Sequence, residues 1–149
     1  MDKRLQTRLW RVLLAMAIGG IVSLTTPSLS ADENDFDETG LLTREGQHLR
    51  LTSDVNDALL LNDLIQSFDD SVPQWLAFWG VPESRAANWK IQGYLMRNVD
   101  TFRKSGALPN YVPRFDHGYS TPQTIWIRHQ DTTYYNRHLV LHEGIHSLA

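Results

Sequence analysis

Two histidines and a glutamate near the end of the sequence have the spacing of a metal site. His142, Glu143 and His146 form the pattern His-Glu-x-x-His. Residues four apart on an α-helix lie on one face, so both imidazoles can bind a single ion while Glu143 lies beside them. Neutral imidazole is a preferred ligand of Zn²⁺, and a carboxylate next to the ion can serve as a general base. The spacing therefore predicts a zinc centre with hydrolytic chemistry.

The motif is rare, and its surroundings are those of a buried helix. The sequence has six histidines, and with its glutamate content the pattern has roughly one chance in a hundred of arising at random. No proline or further charged residue interrupts the helical pattern around it. Apolar residues surround the motif at Leu139, Val140, Leu141, Ile145 and Leu148.

The motif and its uncharged helical surroundings resemble the zincin metallopeptidases. The resemblance is specific over roughly the last fifteen residues, and further upstream it extends only to the order of elements. It implies that His142 and His146 bind Zn²⁺, and that Glu143 is the general base for the zinc-bound water that attacks a peptide carbonyl. It therefore implies a zinc-dependent peptidase with a peptide or protein substrate.

A third protein ligand is the missing part of this predicted site. Catalytic zinc sites use three protein ligands and a water molecule. Metzincins continue the motif with a glycine at the position where this sequence has Ala149, so the resemblance is to gluzincins, whose third ligand is a glutamate on a later helix. No acidic residue follows Glu143. We therefore expect a chain truncated after the motif helix, which on its own binds zinc weakly and is inactive.

Upstream residues are less suitable as the third ligand. His138 lies on the same helix face, but its Cα is roughly 12 Å from that of His146 at 1.5 Å rise per residue. One tetrahedral ion cannot easily bind all three imidazoles on a straight helix. The other candidates would need a loop that folds back over the motif helix; they are Asp116, His117 and His129.

The amino terminus has the pattern of an export signal. Four basic residues precede an apolar stretch from Val12 to Leu24, and small residues follow up to Ala31. This stretch is shorter than the about 20 residues of a membrane span, so an uncleaved anchor is the minor alternative. Residues 1–30 are predicted to be a signal peptide that exports the protein to the periplasm or the extracellular space. Membrane contact is then limited to this segment.

Charge and composition restrict the remaining function classes. Removal of residues 1–30 leaves ten basic and sixteen acidic residues, and the basic ones are scattered, which argues against nucleic-acid binding. The sequence contains no cysteine, so only histidines and carboxylates are available as strong zinc ligands. Residues 31–45 are predicted to be a flexible acidic leader, and residues 46–149 a zincin-like catalytic subdomain. The oligomeric state is not determined.

The elements around the motif alternate between strand and helix. Alternating or apolar runs predict strands at residues 47–52, 89–96 and 124–128, and a short helix at 100–105 ends at Gly106. A long helix begins after Ser53 or Asp54 and ends at residues 80–82, and Pro73 is expected either to kink it or to restart it near Ser71. The motif helix begins after a cap at residue 131, 132 or 133. The predicted fold class is α+β, with a small mixed sheet, a backing helix and a C-terminal active-site helix, as in the incomplete upper subdomain of a zincin.

Several local features have two interpretations. Gly144 costs about 1 kcal/mol relative to alanine in a helix, and it either permits a close approach of a strand or substrate or is simply tolerated. Residues 114–119 either border the cleft, with His117 or Tyr119 near substrate, or form an ordinary surface turn, which we favour. Four tryptophans on apolar faces are predicted to be core residues: Trp75, Trp79, Trp89 and Trp126.

Three hypotheses about function remain open. The first is an exported zinc-dependent peptidase that uses Glu143 as its base. The second is a non-catalytic zincin-like binding or structural module of the cell envelope. The third is an interaction domain of the cell envelope in which His142 and His146 bind no metal. The rarity and setting of the motif favour the first.

Overall fold

A five-stranded mixed sheet forms the centre of residues 40–148, the part of the chain that the computed structural model describes. The α+β class predicted from the sequence is confirmed. The strands are β1 (Leu42–Glu45), β2 (Leu49–Ser53), β3 (Ile91–Met96), β4 (Gly118–Thr121) and β5 (Thr124–Arg128). The helices are α1 (Ala58–Phe78), α2 (Val99–Lys104) and α3 (Thr133–Leu148), with a 3₁₀ turn at Glu83–Ala86.

The strand order is β1-β2-β3-β5-β4, so β1 and β4 are the two edges. The three central strands are parallel to one another, whereas each edge strand is antiparallel to its neighbour. A tight hairpin joins β4 to β5, with Thr121 paired to Thr124 and Gly118 paired to Ile127. This hairpin places β4 beside the helix that contains the motif, because α3 packs on both of its strands.

Alternate residues of the sheet face two hydrophobic cores. Ile125 and Ile127 belong to the core under α1 and α3, and Trp126 between them belongs to the core on the other face, with Phe102 of α2. This alternation follows from the two-residue period of a strand. The first core holds α3 in place, because Val140 is fully buried in it. The motif helix is therefore fixed to the sheet on its inner side.

Helix α1 begins later than the sequence predicts, and it ends at Phe78, just before the predicted end at residues 80–82. Asp57 caps it by accepting a hydrogen bond from the Leu60 amide at 2.9 Å. Ser53 is not available as a cap because it lies in β2 and its hydroxyl donates to the Leu95 carbonyl. The carboxylate of Asp54 instead accepts from the amides of Arg97 and Asn98.

Of the two outcomes predicted at Pro73, the restart of the helix near Ser71 is wrong. Proline removes the bond to the carbonyl four residues earlier, yet α1 continues through this position. Pro73 is exposed, whereas Val72 and Leu76 on either side of it are buried in the same core. Packing on both sides of the proline therefore keeps the helix continuous.

Three other predictions about elements need correction. The predicted leader, residues 31–45, ends too late, because its last four residues form β1, where Leu42 is buried beside β2. Strand β4 lies in part of the stretch for which a surface turn was favoured. Trp79 is 40% exposed at the end of α1, although the other three predicted core tryptophans do pack in the two cores.

The predicted signal peptide, residues 1–30, and residues 31–39 of the predicted leader lie outside the described residues. Among the helices of residues 40–148, none is long and apolar enough to cross a membrane.

Candidate functional site

The start of α3 is fixed by hydrogen bonds to the segment before it. The Thr132 hydroxyl accepts from the Tyr135 amide at 3.2 Å, which satisfies one of the free amides at the helix start. The buried Asn136 side chain accepts from the Gln130 amide and donates to the Gln130 and Thr132 carbonyls. The capping prediction at residues 131–133 agrees with the Thr132 contact. These bonds define where the helix begins and hence the direction of its faces.

The two motif imidazoles lie on the solvent-exposed side of α3. His142 and His146 are both exposed, their ring centroids are 4.8 Å apart, and their planes meet at 83°. His138 continues the row, with its ring centroid 6.1 Å from that of His142. Water and solutes can therefore reach both motif imidazoles. Their spacing brings two zinc-binding groups together on one surface.

Glu143 lies on the neighbouring face of α3 and is buried against β4. Its Oε2 accepts a hydrogen bond of 2.8 Å from the Ser120 hydroxyl. A side chain at Gly118 would meet it, since an added Cβ would lie 2.7 Å from both Cγ and Oε1 of Glu143. The glutamate carboxyl is therefore held by the first and third residues of β4. Sequence reasoning missed this role of Ser120 and Gly118.

The glycine inside the motif allows α1 to approach α3. A Cβ added at Gly144 would lie 2.3 Å from Cε2 of Phe68, a fully buried ring of α1. Real Cβ atoms essentially never come so close to another heavy atom. Of the two interpretations of Gly144, close approach is the one that the geometry supports. The approaching group is a helix side chain rather than a strand or a substrate.

A cleft of about 460 Å³ runs between α3 and the start of β4. The loop before β4 borders it, so Asp116 and His117 line the same cleft as His142 and Glu143. The loop is held there because the pairing of β4 with β5 continues in a hydrogen bond from the Arg128 amide to the His117 carbonyl. The lining residues are Asp116, His117, Gly118, Tyr135, His138, Leu139, His142 and Glu143.

The metal-binding groups of this cleft are not gathered around one point. Among residues 40–148, no three histidine, aspartate or glutamate side chains are close enough together to hold one metal ion. His129, the remaining candidate, is not among the residues that line the cleft. Burial, with a contribution from the charge of Arg97, lowers the pKa of His129 from its ordinary 6.5. The donor set at the motif is thus two exposed imidazoles, which fits part of a zinc site.

Comparison with known proteins returns no relative. No protein-family model matches the chain, and neither a search of curated proteins nor a search of solved structures finds a match.

The sequence contains a partial signal for the contacts of Glu143 with β4. Gly118 and Ser120 are two residues apart, and a Thr-Pro-Gln segment separates this stretch from the strongly predicted strand at residues 124–128. A short segment of this kind before a strand is compatible with a hairpin. The stretch has no buried apolar residue to mark it as a strand, because all four residues of β4 are half-buried.

Proposed function

We propose that the protein is an exported zinc-dependent peptidase and that residues 46–148 form a zincin-like subdomain. The observation that supports this most is the pair of exposed imidazoles of His142 and His146, whose ring centroids are 4.8 Å apart. Glu143 lies next to them and lines the same cleft as His142. The motif lies on a helix that packs beneath the sheet, in the order of elements expected from the resemblance to zincins. Export is proposed from the amino-terminal signal sequence.

In this proposal each residue of the motif has a distinct task. His142 and His146 hold zinc through their neutral imidazole nitrogens, and both are exposed enough to do so. A zinc ion bound there would lower the pKa of its water ligand to about 7. Glu143 accepts the proton of the attacking water, through Oε1, since Oε2 already accepts from Ser120.

Strand β4 is the proposed binding place of the substrate backbone. Among residues 40–148 it pairs with β5 alone, so within this part of the chain its other edge is open to a peptide segment in extended conformation. It also contacts Glu143 through Gly118 and Ser120. A peptide added to β4 would therefore lie next to the proposed base.

A second candidate function is a non-catalytic zincin-like module that binds a partner or serves a structural role in the cell envelope. The observation in its favour is the donor set, because residues 40–148 provide no third group close enough to complete a metal site. Catalytic zinc sites use three protein ligands. The two candidates differ in whether the cleft hydrolyses peptides.

The test is a set of matched single variants of the complete protein, assayed for bound zinc and for peptide hydrolysis. His142→Ala and His146→Ala should lose both, whereas Glu143→Gln should lose hydrolysis and keep zinc, since it removes the base and no ligand. His129→Ala is the control, because this histidine is not among the residues that line the cleft, and it should behave as wild type. Zinc retained in both motif histidine variants would contradict the proposed centre. Unchanged turnover in Glu143→Gln would contradict the proposed base.

A further inference from the structure

Two serine hydroxyls fasten the edge strand β4 to the motif helix. The Ser120 hydroxyl of β4 donates to the Glu143 carboxylate at 2.8 Å. The Ser147 hydroxyl of α3 donates in the opposite direction, to the Thr121 carbonyl, at 2.7 Å. Glu143 and Ser147 are four residues apart and both are buried on the face of α3 that meets β4. The two contacts therefore set the register of β4 along the helix.

We propose that Ser120 is a positioning residue that holds Glu143 for proton transfer, a role that rests on the proposed peptidase function. A glutamate side chain has several rotatable bonds, and a general base acts only when it is within hydrogen-bond reach of the proton. The bond from Ser120 occupies Oε2 and leaves Oε1 for the proton. Ser120 contacts neither substrate nor metal in this role, and it acts through Glu143.

The neighbouring glycine limits where the carboxyl can lie. Oε1 of Glu143 lies against Gly118, where an added Cβ would be only 2.7 Å away. Gly118 thus provides space for the carboxyl, and Ser120 fixes its orientation by a bond to a charged acceptor, which is stronger than a bond between neutral groups. A serine that only stabilised the fold could also bond this buried carboxyl, because buried polar groups need hydrogen-bond partners. Its loss would then shift the Glu143 signal and lower the free energy of unfolding, but would leave kcat of the folded, zinc-loaded protein unchanged.

The experiment compares Ser120→Ala and Ser120→Thr with Ser71→Ala, a matched control on α1. The Ser71 hydroxyl donates to the Ser67 carbonyl at 2.7 Å, so its removal also deletes a serine hydroxyl bond, but one to a neutral acceptor in another element. The first measurement is the carbon-13 NMR signal of the Glu143 carboxyl, assigned by its absence in Glu143→Gln. We expect this signal to move in Ser120→Ala, to stay near its wild-type position in Ser120→Thr and to be unchanged in the control.

The second measurement is zinc content with kcat and KM for peptide hydrolysis. Ser120→Ala should keep its zinc and its KM and lose kcat by about tenfold or more, since a misplaced base acts mainly on the chemical step. Ser120→Thr should recover most of kcat because it restores the hydroxyl. An unmoved Glu143 signal, or equal kcat in wild type and Ser120→Ala, would overturn the positioning role alone. Both measurements are made on the complete protein; if that protein is loaded with zinc and shows no hydrolysis, the proposed function is overturned, and the positioning role with it.

Discussion

Replacement of Gly144 by alanine introduces one methyl group between α1 and α3. The added Cβ would lie 2.3 Å from Cε2, 3.0 Å from Cζ and 3.2 Å from Cδ2 of Phe68. This ring is fully buried and has little freedom to move, because it stacks on Trp89 at 5.9 Å and meets the edge of Trp75 at 5.4 Å. The two helices must therefore separate or the aromatic cluster must rearrange.

Two opposing effects decide the free energy of unfolding of Gly144→Ala. Alanine is a better helix former than glycine and should stabilise α3 by about 1 kcal/mol. Overpacking of a well-filled core costs typically about 1 to 3 kcal/mol. The contact with Phe68 is too close to be relieved by rotation of a flexible side chain, so the cost should be near the upper value. We expect a net destabilisation of about 1 to 2 kcal/mol.

The assay is urea unfolding of wild type and Gly144→Ala, each also in a Phe68→Leu background. Leucine lacks the ring atoms nearest to Gly144, so the alanine should cost less there, or even stabilise. The four proteins form a double-mutant cycle that isolates the contact between the two positions. A Gly144→Ala protein about 1 kcal/mol more stable than wild type, with an unchanged m-value, would refute the argument from close packing.

Three further predictions concern titration, metal binding and export. Burial, with the charge of Arg97, lowers the pKa of His129 below 6.5, so its NMR titration midpoint should lie below that value and rise in Arg97→Gln. The unfolded state then binds a proton at His129 more readily than the folded state does. The contribution of His129 to the free energy of unfolding is therefore full above pH 6.5 and falls as the pH drops toward the folded-state pKa. A titration midpoint at or above 6.5 would contradict the lowered pKa. The 149-residue chain should bind zinc weakly, since catalytic zinc sites use three protein ligands. Tight one-to-one zinc binding in calorimetry, together with peptide hydrolysis, would show instead that this chain provides all the ligands of the site. Protein recovered from the producing cell should begin near Ala31 or Asp32 by N-terminal sequencing, whereas an intact Met1 on a membrane-bound product would indicate an anchor.

Elements with a strong local pattern could be predicted from the sequence. The strand at Thr124–Arg128 has the bounds expected from its apolar run, and both long helices follow from apolar residues at three- and four-residue spacing. The edge strands β1 and β4 have four residues each and few buried side chains, so their pattern is weak. They form because β2 and β5 offer hydrogen-bonding partners, which local sequence does not report.

The relative positions of the two motif histidines also followed from sequence. A spacing of four residues on a helix places His142 and His146 on one face wherever that helix packs, because the geometry of a helix is local. The solvent exposure of that face was not determined by the spacing. That exposure depends on which side of α3 packs into the core, and this is the side that contains the buried Val140.

Only the tertiary structure decided what surrounds Glu143 and Gly144. Ser120 is 23 residues from the glutamate that it binds, and Phe68 belongs to a different helix from the glycine that it contacts. Such contacts depend on how β4 and α1 pack against α3, and packing is a property of the whole core rather than of any short segment. Sequence spacing therefore determined the chemistry that the motif offers, because helix periodicity is local. The packing of distant elements determined how the motif glutamate is held, because side-chain contacts between elements are not local.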